Sequence, residues 1–231
     1  MNYYETSWKI YMEHSKSFTD DFNYYLNFVR GFKSLELFAG YGRLANFLSE
    51  SGCEVEVIEL SKDFSENIRL PRDKVHVADV RNFYLDRKFD RIFAGYNSFC
   101  LLQNDSDLEK FFKNIHLHLT DNGLASLSYY HPNKWHTAEE FEFIYEGKKV
   151  TYQPSYDLSE RPLKKGVWID TYLFQGERHQ HVYPVRIFEN PSEIEQHLNF
   201  CGLQIVDVIF DYNKGSQMTE DGWVEYVLAK K

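Results

Sequence analysis

The sequence predicts an α/β protein: a doubly wound, mostly parallel sheet of seven strands, with an antiparallel β insertion after the fifth. Three observations carry that expectation. The run Leu35-Glu36-Leu37-Phe38-Ala39-Gly40-Tyr41-Gly42-Arg43 reads as a short buried strand entering a glycine turn, which opens a helix at Arg43-Leu44-Ala45. Further β-prone runs alternate with helical ones as far as residue 130, the pattern of strands joined by helical crossovers. Residues 133–188 break that alternation with short β-prone runs and little helical signal, before a helix and two more strands return.

Residues 3–30 read as helical and aromatic-rich. Thr19 is placed to cap a helix whose apolar positions Phe22, Tyr25, Phe28 and Val29 recur at helical spacing, and Gly31 ends it. The helix after the glycine turn runs to Glu50 and stops at Gly52. Residues 55–60 form the second strand and contain Glu59. Residues 74–77 form the third, followed by Ala78-Asp79, and residues 91–94 the fourth, running into Gly95-Tyr96-Asn97-Ser98. Ser106-Asp107-Leu108-Glu109 is a capping box for a helix reaching Leu119. Asp121-Asn122-Gly123 then breaks the chain before a fifth strand at 124–130. Within the insertion the clearest β runs are 141–145, 167–174 and 181–188. Asn190 caps the next helix, with Pro191 at its first position and Glu193 closing the box. Gly202 stops it, and residues 204–211 and 224–229 complete the sheet. The domain reading is an N-terminal helical cap (1–32), a sheet domain in two segments (33–132 and 189–231) and an inserted β lid (133–188).

With 231 residues, 43% of them hydrophobic and 17% aromatic, the chain can build one large α/β domain. A formal net charge of −9 disfavours nucleic acid and anionic membrane as partners. No apolar run is long enough to span a bilayer, and Met1-Asn2-Tyr3-Tyr4-Glu5 carries no basic-then-apolar signal. Cys53, Cys100 and Cys201 are odd in number, scattered and without a CxxC spacing, as expected of structural thiols in a reduced, cytoplasmic protein. No metal site is expected: His179 and His181 share a face of an extended run, but no Cys, Asp or Glu completes a set. His116 and His118 are expected on a helix surface.

The chemistry depends on what sits at the glycine turn. Gly40 and Gly42 permit a sharp turn and a close backbone approach to a ligand. Glu36 is a carboxylate inside an otherwise apolar strand, and burying it is costly unless it meets a donor. That points to a cationic or N–H-rich ligand just beyond the turn. Gly40-x-Gly42-x-x-Ala45 also satisfies a dinucleotide fingerprint, with Glu59 near the spacing of a ribose carboxylate. An NAD(P)-dependent oxidoreductase is therefore one reading, and a non-catalytic cofactor-binding protein another. Two acids weigh toward a different ligand. Glu36 occupies a position the dinucleotide rule leaves unspecified, and Asp79 follows the third strand, at the carboxyl edge where open α/β folds bind ligands. Glu59 can accept from two ribose hydroxyls, and Asp79 from an exocyclic adenine amine.

In order and spacing, the run from Glu36 to Arg43, then Glu59, Ala78-Asp79-Val80-Arg81-Asn82-Phe83 and Phe89-Asp90-Arg91-Ile92, resemble the motifs of class I S-adenosylmethionine-dependent methyltransferases. The resemblance continues through Asn97-Ser98 and Leu119-Thr120-Asp121-Asn122-Gly123. It covers residues 33–130 and extends more loosely into the tail from Arg186. It is nearest to the small-molecule branch that includes aminosugar and glycine N-methyltransferases, whose antiparallel insertion also follows the fifth strand. The resemblance implies a Rossmann-like sheet, S-adenosylmethionine as cofactor, and transfer of its methyl group to a nitrogen or oxygen of a small-molecule acceptor.

It also implies roles. Gly40 and Gly42 would flank the methionine part of the cofactor, with Phe38, Ala39 and Arg43 in the same turn. Glu36 would order the turn and face the ammonium group. Glu59 would hold the ribose with Leu60 beside it, and Asp79 with Val80 the adenine. Tyr96 and Asn97 would border the methyl group. Tyr11 lies upstream of Asp21-Phe22, much as an active-site tyrosine does in the aminosugar enzymes, and is expected at the cofactor and in catalysis. Phe38 stands where a first glycine is usual, and Leu101 near a position where some aminosugar enzymes carry a histidine.

A sulfonium methyl is already activated, so the protein mainly has to position it. Alignment contributes about 7–11 kcal/mol, whereas a general base adds about 10²–10⁴-fold. Aromatic walls and one modest base are expected rather than a triad. His131, directly after the fifth strand, is the expected base, with His181 the alternative. The insertion is expected to close over the methyl group and bind the acceptor through Trp135, His181, Tyr183 and Arg186; a homodimer interface is the rival reading for its aromatic residues. Asn97-Ser98-Phe99-Cys100 departs from the Asn/Asp-Pro-Pro-Tyr motif of amino-directed DNA methylation.

Overall fold

A computed structural model describes residues 3–213 and 222–231. The chain lays down helices α1 (Tyr3–Ser15) and α2 (Phe22–Val29), strand β1 (Ser34–Leu37), helix α3 (Arg43–Glu50), strand β2 (Val55–Glu59), the short helix α4 (Lys62–Ser65), and strands β3 (Val75–Val77) and β4 (Phe89–Ala94). Helix α5 (Asp105–His118) leads into β5 (Leu119–Tyr130). The insertion carries β6 (Phe141–Tyr145), β7 (Lys148–Asp157), β8 (Lys165–Phe174) and β9 (Glu177–Arg186), and α6 (Pro191–Phe200), β10 (Leu203–Phe210) and β11 (Trp223–Lys230) follow.

Seven strands form one sheet in the order β10-β11-β5-β4-β1-β2-β3. Strand β1 is wholly buried and pairs in parallel with both β2 and β4. Strand β11 runs antiparallel to both of its neighbours, β5 and β10. After β3, at one edge, the chain crosses back over β1 to start β4, so the strand order reverses between β1 and β4. Carboxyl ends of strands diverge at such a switch point and leave a crevice. The insertion is a separate antiparallel sheet, β6-β7-β8-β9.

Three cores hold these layers. One gathers Leu37, Ile92, Phe111, Ile115, Leu127 and Leu198 on the face covered by α5 and α6. A second packs α2 and α3 on the opposite face through Tyr25, Val29, Leu44 and Leu48. The third unites Ile10 of α1 with Tyr145, Val150, Tyr152, Tyr172 and Phe174 of the inserted sheet. The two N-terminal helices thus serve different layers: α1 packs on the insertion and α2 on the main sheet.

Local details correct several expectations. Thr19 is not the cap of α2. The preceding residue is Asp21, and its carboxylate makes no cap bond because it binds Arg43 instead. Helix α5 starts two residues earlier than a cap at Ser106 implies, since the Asn104 side chain accepts from the Asp107 N–H. Asp121-Asn122-Gly123 does not precede the fifth strand but lies inside β5. Leu119 pairs with Phe89 as soon as α5 ends, and a register shift accommodates the turn-prone residues. His118 is buried, not on the helix surface: its Nε2 accepts from the Leu85 N–H at 3.0 Å and its ring stacks on Phe83. Strand β7 adds a fourth run to the three picked out in the insertion. The cap of α6 is as read: Asn190 accepts from the Ser192 N–H, and Glu193 closes back on the Glu189 N–H.

Glu225 of β11 is fully buried. Tyr25 donates to it at 3.1 Å and Ser126 at 2.6 Å, yet burial still raises its pKa from 4.5 to about 8. The folded protein therefore keeps a proton that the unfolded chain releases. This contribution to stability is whole below the unfolded value of 4.5 and is lost as pH rises through about 8. Urea denaturation should show stability falling across that window, and Glu225→Gln should shrink the dependence. A variant as pH-sensitive as the parent would refute the assignment.

Candidate active site

Strand β1 delivers Glu36 to the switch point, and the chain then reverses. Phe38, Gly40 and Gly42 all adopt left-handed φ values, of 58°, 58° and 83°. A side chain at Gly42 would bring its Cβ to 3.0 Å from Ile68 and 3.1 Å from Asn46, so the turn is both left-handed and crowded. Phe38 takes the strained conformation without being glycine, and its ring packs against Phe111 at 5.6 Å. Glu59, at the end of β2, clamps the turn: one oxygen accepts from the Gly40 N–H and the other from the Ser61 N–H, each at 2.7 Å.

Beyond the turn lies a cavity of about 80 Å³ lined by Tyr11, Ser15, Glu36, Phe38, Ala39, Gly40, Tyr41, Arg43, Leu44, Phe64, Gly95, Tyr96 and Ser98. Glu36 is buried, and its Oε2 has no hydrogen-bond partner among the described residues. Burial raises its pKa to about 8, although the Arg43 charge pulls the other way. A buried acceptor left open at a cavity wall fits a ligand that brings its own donor. An ammonium group meets that requirement.

A second cavity of about 210 Å³ adjoins the first. Tyr11, Tyr96 and Ser98 line both. Its other walls come from α1 (His14), the segment after β4 (Asn97, Leu101), Tyr130, Trp135, the inserted sheet (Tyr152, Trp168, Asp170, Tyr183, Val185) and Trp223. Main sheet, N-terminal helix and insertion thus converge on one chamber. Asn97, with φ 59°, accepts from the Tyr130 N–H at 3.1 Å, which ties the β4 loop to the end of β5.

The N-terminal segment is fastened by one ion pair. Arg43 donates to both oxygens of fully buried Asp21, at 2.8 and 2.5 Å, and to the Phe18 carbonyl at 2.8 Å. Its guanidinium also lies over the rings of Phe18, Phe22 and Tyr96, 5.2–5.5 Å from their centroids.

The remaining residues singled out in the sequence are dispersed. Asp79 is engaged by Arg81, whose backbone N–H and guanidinium both donate to it and hold its pKa below the usual range. Val80 is buried in the main core, Leu60 is largely exposed, and none of Glu59, Leu60, Asp79 or Val80 lines either cavity. His131 lies outside both as well: its Nδ1 accepts from the Asn133 N–H and caps the turn at Pro132–Thr137. His181 also stands back from the chamber. Its Nε2 bonds Ser7 of α1, and its ring touches those of Tyr11 and Tyr183. Arg186 pairs with Asp105 at 2.5 Å, away from both cavities. Trp135 and Tyr183 are in the chamber wall.

Several cavity residues escaped the sequence reading: Phe64 in the smaller one, and His14, Tyr152, Trp223 and above all Asp170 in the chamber. Burial lowers the pKa of His14 to about 4, and its Nδ1 bonds the Tyr172 hydroxyl at 2.8 Å. Asp170 carried the same signal that drew attention to Glu36, an acid inside an apolar, aromatic strand.

No family model and no curated protein matches the sequence. The fold does match solved structures. A S-adenosylmethionine-dependent methyltransferase from Clostridium acetobutylicum superposes with a TM-score of 0.75 at 17% identity, covering 99% of each chain. The sugar N-methyltransferase KedS8 from a Streptoalloteichus species gives 0.75 at 18% identity, over 96% of this chain and 92% of that one. CalS10, an amino pentose methyltransferase from Micromonospora echinaspora solved with S-adenosylmethionine bound, gives 0.74 at 16% identity, over 100% and 98%. The chain therefore has the Rossmann-like fold of S-adenosylmethionine-dependent methyltransferases, sugar N-methyltransferases among them.

Removing one partner of a buried ion pair leaves an uncompensated charge and costs about 3–5 kcal/mol. Asp21→Ala should lower unfolding stability by about that much in urea titration. A loss of under about 1 kcal/mol, the range of exposed pairs, would show that Arg43 does not hold this segment.

Proposed function

We propose that the protein is a methyltransferase that uses S-adenosylmethionine to methylate a nitrogen or oxygen of a small molecule. The observation that carries this reading is the pair of cavities meeting at Tyr11, Tyr96 and Ser98, with the unpartnered oxygen of Glu36 in the wall of the smaller one. A donor group and an acceptor held in two compartments can meet only where those compartments join.

When bound, S-adenosylmethionine supplies an electrophilic methyl group on sulfur. Glu36 would take its ammonium group, and the Gly40–Gly42 turn would cradle the methionine part. Glu59, fixed by two N–H donors, keeps lone pairs for the ribose hydroxyls. Asp79 and Val80, with exposed Leu60, would attend the adenine end. Tyr11 and Tyr96 would border the methyl group. Burial raises both of their pKa values, so their hydroxyls stay protonated and orient rather than abstract protons. Most of the rate would come from this alignment. His131, occupied in capping a turn, is not the base this reading needs.

A small acceptor follows from the chamber. Its walls are mostly rings, no lysine or arginine among the described residues lines it, and its volume of about 210 Å³ suits a small molecule rather than a polymer. The inserted sheet supplies Tyr152, Trp168, Asp170, Tyr183 and Val185, and so acts as a lid over the junction. The net charge of −9 argues in the same direction.

Two measurements test the reading. Burial lets Glu36 hold a proton up to about pH 8, whereas a bound ammonium would stabilise its carboxylate. Calorimetry near pH 7 in two buffers of different ionisation enthalpy should therefore show proton release on S-adenosylmethionine binding, and Glu36→Gln should abolish the release. Tight NAD binding with none of S-adenosylmethionine would overturn the reading. Tyr183→Ala should lower turnover on an acceptor found by product mass, while S-adenosylmethionine affinity stays within a few-fold; unchanged turnover would remove the lid from the acceptor site.

A further inference from the structure

The acceptor chamber holds a carboxylate for which the methyl donor gives no reason. Asp170, on β8, is 6% exposed and lines the chamber. The Tyr152 hydroxyl at 2.7 Å and the Trp168 indole N–H at 2.8 Å both donate to its Oδ1. Its Oδ2 meets no protein donor among the described residues. Two donors on one oxygen fix the carboxylate and leave the other oxygen facing the chamber. Glu225, also an acid buried in an apolar strand, is different: serine and tyrosine hydroxyls occupy both its oxygens.

The rest of the chamber sharpens the contrast. Burial keeps His14 neutral at physiological pH, and no lysine or arginine among the described residues lines the wall. Asp170 is therefore the one formal charge in that wall among the described residues. It shares the chamber wall with Tyr11 and Tyr96, which border the smaller cavity too. An anionic acceptor would be repelled, and a neutral alcohol would leave the carboxylate without a countercharge. A cation would meet a carboxylate among the rings of Trp135, Trp168, Tyr183 and Trp223, a setting that suits positive charge.

We infer that the acceptor is an amine, bound as its ammonium ion by Asp170, and that Asp170 takes the proton the nitrogen must lose before attack. The inference rests on the methyltransferase reading and narrows its acceptor from nitrogen or oxygen to a basic nitrogen. The N–H bond breaks with its electron pair left on nitrogen, and the proton goes to Oδ2. That lone pair forms the new N–C bond to the methyl carbon. The C–S bond breaks at the same time, and its electrons go to sulfur, giving a neutral thioether and a methylated ammonium product. Burial raises the pKa of Asp170 above the usual carboxylate range, despite its two donors, which improves it as a proton acceptor.

The test compares 2-phenylethylamine with 2-phenylethanol, near-isosteric probes that differ in charge, on the protein loaded with S-adenosylhomocysteine. Quenching of tryptophan fluorescence at millimolar probe reports occupancy. The amine should bind about ten- to a hundredfold more tightly, the size of one charge-assisted hydrogen bond. Asp170→Asn should bring the two probes within a few-fold of each other and leave the affinity for S-adenosylhomocysteine unchanged. Equal binding of the two probes to the parent protein, no binding of the amine, or a preference that survives in Asp170→Asn would each overturn the inference. The parent comparison decides the matter even if the variant does not fold. Failure of S-adenosylhomocysteine to bind at all would overturn the methyltransferase reading and this assignment with it. Its binding without an amine preference would overturn this assignment alone.

Discussion

The Arg43–Asp21 pair joins the parts on which the site depends. Arg43 is the first residue of α3, so it is fixed by the glycine turn. Asp21 precedes α2 and is fully buried, and the Phe18 carbonyl takes a further donor from the same guanidinium. One side chain thus locks the start of α2 and the α1–α2 connection onto the turn that shapes the smaller cavity. Tyr11 reaches both cavities because α1 is held from two directions. The Asp21–Arg43 anchor lies behind it, and the inserted sheet lies in front, through Ile10 and the His181–Ser7 contact.

Charge is distributed unevenly around that anchor. Asp21 and Glu36 both feel Arg43, but its guanidinium is bonded to Asp21, which leaves Glu36 buried with an open oxygen. Desolvation then dominates over attraction and favours the protonated form of Glu36 near neutrality. Asp170 resembles it in the larger chamber, with two donors on one oxygen and, among the described residues, none on the other. Each cavity therefore presents one incompletely satisfied carboxylate. This is an expensive feature for a stable fold and a reasonable one for a site that receives positively charged groups.

Parts of the site were legible because they follow from local rules. The glycine spacing around Gly40 and Gly42, an acid inside an apolar strand at Glu36 and the strand-end position of Glu59 each need only a few neighbouring residues to be recognised. Other assignments failed because a side chain is already engaged, either by its own turn or by a partner distant in the chain. His131 sits directly after β5, as a base might, yet its own turn uses its Nδ1. His118 has the spacing of a surface residue, but the Leu85 N–H and the Phe83 ring draw it into the core. Thr19 lost the cap of α2 to a residue committed to Arg43. Asp170, His14 and Trp223 come from the insertion, the N-terminus and the last strand, and no local pattern links them.

The sequence by itself determined the alternation of strands and helices, the glycine turn at the carboxyl edge of β1 and the place where the sheet gives way to an insertion. Those features rest on periodicity and backbone conformation, which act over a few residues. Only the tertiary structure decided which rings face one another across the chamber, which carboxylates keep an open oxygen and which histidines are already engaged. Those outcomes depend on burial and on donors brought from far along the chain, and desolvation has no value until the surrounding walls are in place.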